Sequence, residues 1–283
     1  MVMFLTVVQL VYATKSLRAF SGTTPTIDGV IGVSEWADAT AFGNVATWDP
    51  NFAPVLPANP TDLNISGWVK HDDSRLYFAF NVTDDILYGF QTEAWLPGGN
   101  PSANNLTRDG WPWFGDELEI LINANNSWSS VNQTVTGDGR SWQMVMNLHK
   151  SRLGGIGVGG LLEGEPRSST AAWATYQKWI VSRAMEGATS RNGQVYSFEW
   201  AINFDPCLEL RAGVFYTPTM PVTTVGLNIA LGDTDTSEEG DPVYGLRHEM
   251  WWNGSTGCNQ GGNCYTYLYQ FGLLHLEPGP KPQ

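Results

Sequence analysis

Five stretches of this chain alternate apolar with polar or small residues at a period of two, and no window sustains a period of 3.6. Leu76, Phe78, Phe80 and Val82 alternate with Tyr77, Ala79, Asn81 and Thr83. Leu118, Ile120 and Ile122 alternate with Glu117, Glu119, Leu121 and Asn123. Trp142, Met144, Met146 and Leu148 form a third stripe, Tyr196, Phe198, Trp200 and Ile202 a fourth, and Val225, Leu227, Ile229 and Leu231 a fifth. Successive side chains of a strand point to opposite faces, so each stretch offers one apolar face that must be covered. Several such strands satisfy one another by packing face to face, which predicts an all-β protein, an antiparallel, jelly-roll-like β-sandwich with long loops. Residues 173–181 and 265–276 add two strand candidates, and the stretches between are rich in Gly, Pro, Asn and Asp. Ser34 is placed to cap one short helical turn over 34–41. No internal repeat is present. The expected organisation is an N-terminal segment over 1–22, one sandwich domain over 23–276 and a Pro-rich tail over 277–283.

Charge removes whole classes of partner. Lys and Arg total 15 against 28 Asp and Glu, a formal net charge of -13. Nucleic-acid binding needs a basic footprint, and an anionic membrane needs a Lys/Arg cluster; the sequence has neither. Its 31 Gly, 16 Pro and 13 Trp suit short strands, many turns and exposed rings. Met3 to Ala13 is an apolar run too short to span a bilayer, which takes about 20 residues. Two readings of it stand: a secretory signal ending near Val11-Tyr12-Ala13, or a first strand apolar on both faces, buried in its own sheet or added to a neighbouring subunit. Six Asn-x-Ser/Thr sequons, at Asn64, Asn81, Asn105, Asn125, Asn132 and Asn253, add glycosylation to the expectation of a secreted, extracellular protein. Cys258 and Cys264 flank a flexible stretch that a disulfide could close, leaving Cys207 as a buried thiol.

The order of motifs narrows the reading. Asp28-Gly29 is followed by Glu35-Trp36-Ala37-Asp38-Ala39, then by Leu76-Tyr77-Phe78-Ala79-Phe80-Asn81-Val82-Thr83-Asp84-Asp85, then by Gly115-Asp116-Glu117-Leu118-Glu119-Ile120. This succession resembles the family 9 carbohydrate-binding modules and DOMON-related sugar-binding domains. The likeness runs from Thr24 to Ala124, and continues to Leu276 through strand order and the segment Tyr196-Ser197-Phe198-Glu199-Trp200-Ala201-Ile202. It implies an antiparallel β-sandwich and a glycan as partner. It also implies a terminal sugar held between two tryptophan faces.

Trp95, Trp111 and Trp113 fall in a turn-rich stretch, and Trp251 and Trp252 stand in another expected loop beside Arg247, His248 and Glu249. Rings in polar loops are costly to expose without a ligand, so these five are the candidates for stacking on a sugar. Trp36, Trp142, Trp173, Trp179 and Trp200 lie in apolar patterns and are expected to pack. Asp84 and Asp116 stand at strand ends, where carboxylates accept sugar hydroxyls, ligate calcium, or bond their own turns; Arg247 is a further candidate for the hydroxyls. The run Asp233 to Asp241 is dense in acid, and Asp233, Asp235 and Asp241 are its candidate calcium ligands; its glycine is misplaced for an EF-hand.

Two other classes compete with a binding module. An extracellular structural or self-assembling glycoprotein would use the N-terminal run and the sequons. A polysaccharide hydrolase or lyase would need a carboxyl pair from Glu117, Glu119, Glu199 and Glu249, and no spacing selects one. No serine nucleophile elbow, HExxH or phosphate-binding loop occurs. Haem would want Met144, Met146 and His149 as axial ligands, but both methionines alternate with a core face.

Overall fold

Every alternating stretch becomes a strand. The computed structural model describes residues 15–43, 49–51, 63–85, 116–126, 141–147, 156–157, 182–233, 248–253 and 271–282. In chain order the strands are β1 (Ser16–Ser21), β2 (Thr40–Gly43), β3 (Asp49–Asn51), β4 (Leu63–His71), β5 (Arg75–Asp84), β6 (Glu117–Asn123), β7 (Ser141–Asn147), β8 (Ile156–Gly157), β9 (Met185–Asn192) and β10 (Val195–Asn203). A single helical turn, α1 (Phe204–Cys207), follows. Then come β11 (Glu209–Arg211), β12 (Val214–Phe215), β13 (Thr223–Asp233), β14 (His248–Trp251) and β15 (Gly272–Pro280). No helix among the described residues is long and apolar enough to cross a membrane.

One curled sheet runs in the order β8-β7-β6-β13-β15-β1-β4-β5-β10-β9, with β2 on β4 and β14 on β13. Its inner face carries the predicted stripes. Leu76, Phe78, Phe80 and Val82 of β5 and Tyr196, Phe198, Trp200 and Ile202 of β10 join Leu118, Ile120 and Ile122 of β6 and Val225, Leu227, Ile229 and Leu231 of β13 in one core. Burying each large aliphatic or aromatic side chain contributes about 1.5–3 kcal/mol. Met144 and Met146 of β7 belong to the same core, and Trp200 is fully buried there, as its apolar pattern predicts. Cys207 is a free, buried cysteine.

A smaller cluster covers the outer face of β5 and β10, where Trp36 and Ala39 lie against Tyr77, Ala79 and Ala201. Both faces of β5 are therefore buried at its middle, which explains why the outward positions there, 77 and 79, are Tyr and Ala rather than charged.

The structure departs from the expected fold in two places. The sheet is mixed: β1 pairs in parallel with both β15 and β4. Its strands take in Ser16–Ser21 and run to Pro280, with Glu277 buried and paired with Arg18. No helix caps on Ser34. The Gly32 carbonyl instead accepts the N–H groups of Glu35 and Trp36 at 3.1 and 3.2 Å, and β2 starts at Thr40.

Candidate functional site

Buried acids gather at two places, Glu199 on the outer face of β10 and a group at the end of the core where the two halves of the sheet meet. On the outer face, Glu199 of β10 is fully buried. Its Oε2 accepts the backbone N–H groups of Asp28 and Gly29 at 3.0 and 2.8 Å, and its Oε1 accepts the Trp36 indole N–H at 3.1 Å. The Gly29 carbonyl in turn accepts the hydroxyls of Ser190 (2.7 Å) and Ser197. Gly29 has a φ of 87°, and a Cβ there would lie 2.6 Å from the Thr189 carbonyl carbon, so only glycine fits this clamp.

Lys70, also buried, gives the segment a second anchor. Its ammonium donates to Asp38 at 2.8 Å, to the Thr23 hydroxyl at 3.2 Å and to the Glu35 carbonyl, and lies 5.3 Å from the Trp36 ring centroid. Burial pushes the Glu199 carboxyl up to about 7, against the pull of its three N–H bonds. That value would suit a general acid. The carboxylate is however sealed under residues 28–36 with its oxygens committed, so its chemistry here is to hold that segment on the sheet.

The second group lies where the inner stripes end. Asp84 follows Val82 by one inward step on β5, Asp116 precedes Leu118 by one step before β6, and Asp233 follows Leu231 by one step on β13. All three are buried, and each turns one carboxylate oxygen to within 4.8 Å of the others. In sheet order β5 and β13 are separated by β15, β1 and β4, so the curl brings the two halves face to face here. Tyr196, the inward residue at the start of β10, is also buried, and its hydroxyl makes no hydrogen bond. Burial holds that hydroxyl well above the usual tyrosine range, and Asp116, Asp84, Asp233 and Glu117 add repulsion of its anion. Glu117 lies fully buried opposite Gly232, where a Cβ would come 2.7 Å from the Glu117 Cγ. Carboxylates this close repel one another when ionised.

The sequence candidates divide accordingly. Asp84 and Asp116 meet in the buried group, and Asp233 joins them. Asp235 and Asp241 lie outside the described residues. Trp95, Trp111, Trp113 and Arg247 also lie outside them, as do Cys258, Cys264, Asn105, Asn132 and the N-terminal run 3–13. The loop expected at 251–252 is corrected: Trp251 ends β14, paired with Ala230, and Trp252 is 5% exposed in the core. The reason is Met250, which enters the same core and draws the chain into the sheet. Asn64 and Asn81 stand half-buried on adjacent strands, Asn125 is half-buried after β6, and Asn253 accepts the Lys15 N–H at 2.8 Å.

No protein-family model and no curated protein matches the sequence. Solved structures do match. A family 9 carbohydrate-binding module from Caldicellulosiruptor kristjanssonii in complex with glucose is 17% identical with a TM-score of 0.55, over 95% of this chain and 98% of that one. The module from the same organism with cellotriose gives 16% and 0.54, over 93% and 94%. A Bacteroides uniformis protein assigned to carbohydrate binding gives 13% and 0.54, over 94% and 100%. The chain thus has the fold of the family 9 carbohydrate-binding modules.

Proposed function

We propose that the chain is a non-catalytic carbohydrate-binding module that works outside the cell on the end or an exposed stretch of a glycan. The observation that carries this reading is the fold likeness, along nearly the whole chain, to modules solved with glucose and with cellotriose. The path of the chain supports it. In the sequence, residues 86–115, with Trp95, Trp111 and Trp113, lie between Asp84 and Asp116, and residues 234–247, with Arg247, lie between Asp233 and β14. Since Asp84, Asp116 and Asp233 converge, both runs are rooted at one end of the sandwich. In this reading indole faces stack on the apolar C–H faces of the sugar, and Arg247 donates to its hydroxyls. The non-catalytic part is supported by Glu199, whose oxygens are occupied by the 28–36 segment. The sequons support the extracellular part.

Calorimetric titration with glucose and cellotriose, beside a glycan array, tests the reading. Trp113→Ala and Trp251→Ala should each weaken the sugar that binds by about 1–3 kcal/mol, the scale of losing a buried aromatic contact. Unchanged affinity in both variants would remove these rings from the site, and no binding to any glycan would remove the function.

A further inference from the structure

We propose that Asn192, at the tip of the β9–β10 hairpin, is a deamidation site, and that its product loosens the latch over residues 28–36. This goes beyond sugar binding and does not depend on it. The sequence holds two Asn-Gly pairs, Asn192-Gly193 and Asn253-Gly254. In such a pair the glycine has no side chain to shield its nitrogen from the preceding amide. The Gly193 nitrogen bonds to Cγ, the side-chain carbonyl carbon of Asn192. The Cγ–Nδ2 bond then breaks, and the amide nitrogen leaves as ammonia with the Gly193 proton. Water opens the resulting cyclic imide at either of its carbonyls, giving aspartate or isoaspartate. The sum is one water consumed and one ammonia released, with no oxidant or cofactor.

The two pairs differ in what holds the asparagine. Residues 191–195 are all exposed. Gly193 has a φ of 65°, and nothing lies within 4 Å of where its Cβ would stand. Arg191 Nε donates to the Gly193 carbonyl at 3.2 Å and Gln194 Nε2 to the Asp85 carbonyl at 3.1 Å, so neither engages the Asn192 amide. Asn253 is held three times over. Its Oδ1 accepts the Lys15 N–H at 2.8 Å, its backbone N–H donates to Asn228 Oδ1 at 3.0 Å, and its carbonyl accepts from Asn228 Nδ2 at 2.9 Å. Releasing these bonds to reach the cyclising conformation should slow Asn253 by about tenfold or more. The product matters because of what the hairpin carries. Asn192 pairs with Val195, and two steps along the ladder Ser190 pairs with Ser197. Those two hydroxyls hold the Gly29 carbonyl. Isoaspartate routes the chain through Cγ, so the former Asn192 carbonyl becomes a free carboxylate and the main chain gains one carbon. The last pair of the ladder is lost, and the register slackens toward the serines that anchor the latch.

The test ages the whole chain, made in a host that adds no N-glycans, in warm and mildly alkaline buffer, with a parallel sample in urea. Peptide mapping by mass spectrometry, with isoaspartyl methyltransferase labelling, follows both asparagines. In the native chain Asn192 should convert about tenfold or more faster than Asn253, and in urea the two rates should draw together. Hydrogen exchange at the Asp28 and Gly29 amides should be a few-fold faster in aged than in fresh wild type. It should not change on ageing in Asn192→Gln, whose longer side chain cyclises slowly. Conversion of Asn253 level with or ahead of Asn192 in the native chain would overturn the site. So would an unmodified Asn192 once the urea sample has converted. Equal exchange at Asp28 and Gly29 in fresh and aged wild type, with Asn192 converted, would overturn the link to the latch.

Discussion

Glu199 and the Asp84–Asp116–Asp233 group are both buried carboxylates, and their surroundings differ in kind. Glu199 is met by three N–H donors from its own chain. The three aspartates each bring one carboxylate oxygen to within 4.8 Å of the others, beside the Tyr196 hydroxyl. The first arrangement sets donors against an acceptor and serves the fold. The second gathers like charges at the end of the core. The contrast runs through the motifs themselves: Asp28, Gly29, Trp36 and Glu199 form a latch that covers the sheet, while Asp84 and Asp116 belong to the acidic group.

The largest effect should come from breaking the latch. Glu199→Ala strands the N–H groups of Asp28, Gly29 and Trp36 in a buried place, and urea unfolding should report a loss of about 3–5 kcal/mol. Glu199→Gln, which keeps an acceptor oxygen, should lose less than half of that. Asp116→Asn should cost less than Glu199→Ala, because the amide relieves repulsion among the neighbouring acids while keeping an acceptor oxygen. A larger loss at Asp116 than at Glu199 would reverse the contrast.

A smaller effect should appear with pH. The Glu199 carboxyl is raised from 4.5 to about 7 in the folded chain. The folded state therefore holds that proton more tightly than the unfolded state, and stability should fall as pH rises from about 4.5 to 7, by about 1–3 kcal/mol. Asp72 runs the opposite way. Burial raises its carboxyl, but bonds from Thr24, Tyr77, Ser74 and Arg75 outweigh that and hold it at about 2. Its contribution is present above about 3.8 and is lost as pH falls toward about 2. Denaturant midpoints against pH should thus decline between 4.5 and 7 in the wild type and flatten there in Glu199→Gln. An unchanged slope in that variant would show that another group sets it.

The smallest effect belongs to a pair outside both groups. Arg18 bonds to Glu277, but its side chain is 60% exposed. Arg18→Ala should therefore shift stability by about 0–1 kcal/mol, measured by the same unfolding curves. A loss as large as that of Glu199→Ala would mean that the coupling of β1 to β15 rests on charge rather than on backbone pairing.

The strands legible in the sequence were those whose stripe is unbroken. β4 escaped because Gly67 interrupts Leu63, Ile65 and Val69: the Phe42 ring fills that position, and a Cβ there would meet it at 2.6 Å. β1 escaped because only Ala19 of its six residues is fully buried. The tandem Trp251-Trp252 looked like a loop beside its Gly and Asn neighbours, yet Trp252 belongs to the core. The acidic group had a signal that local periodicity could not weigh. In three stripes, the next inward step is an aspartate. That these three steps meet depends on the curl of the whole sheet, which no single stretch encodes. The latch was half legible, since Trp36 was expected to pack while its partner Glu199 was one of four catalytic candidates.

β1 stands between β15 and β4, pairing Ser16 with Leu273 and Ser21 with His71, and among the described strands it alone joins the two halves of the sheet by hydrogen bonds. An early strand and a late one must find each other before the middle of the sheet exists. Ribosomal synthesis delivers β15 after every other described strand, so the seam closes only when translation has passed it. Contacts of such sequence separation make for slow folding, because loop-closure entropy is lost before the pairing repays it. Until then β1 and β13, the two strands that flank β15, each present an open edge in the nascent chain, the kind of edge that pairs with whatever strand comes first.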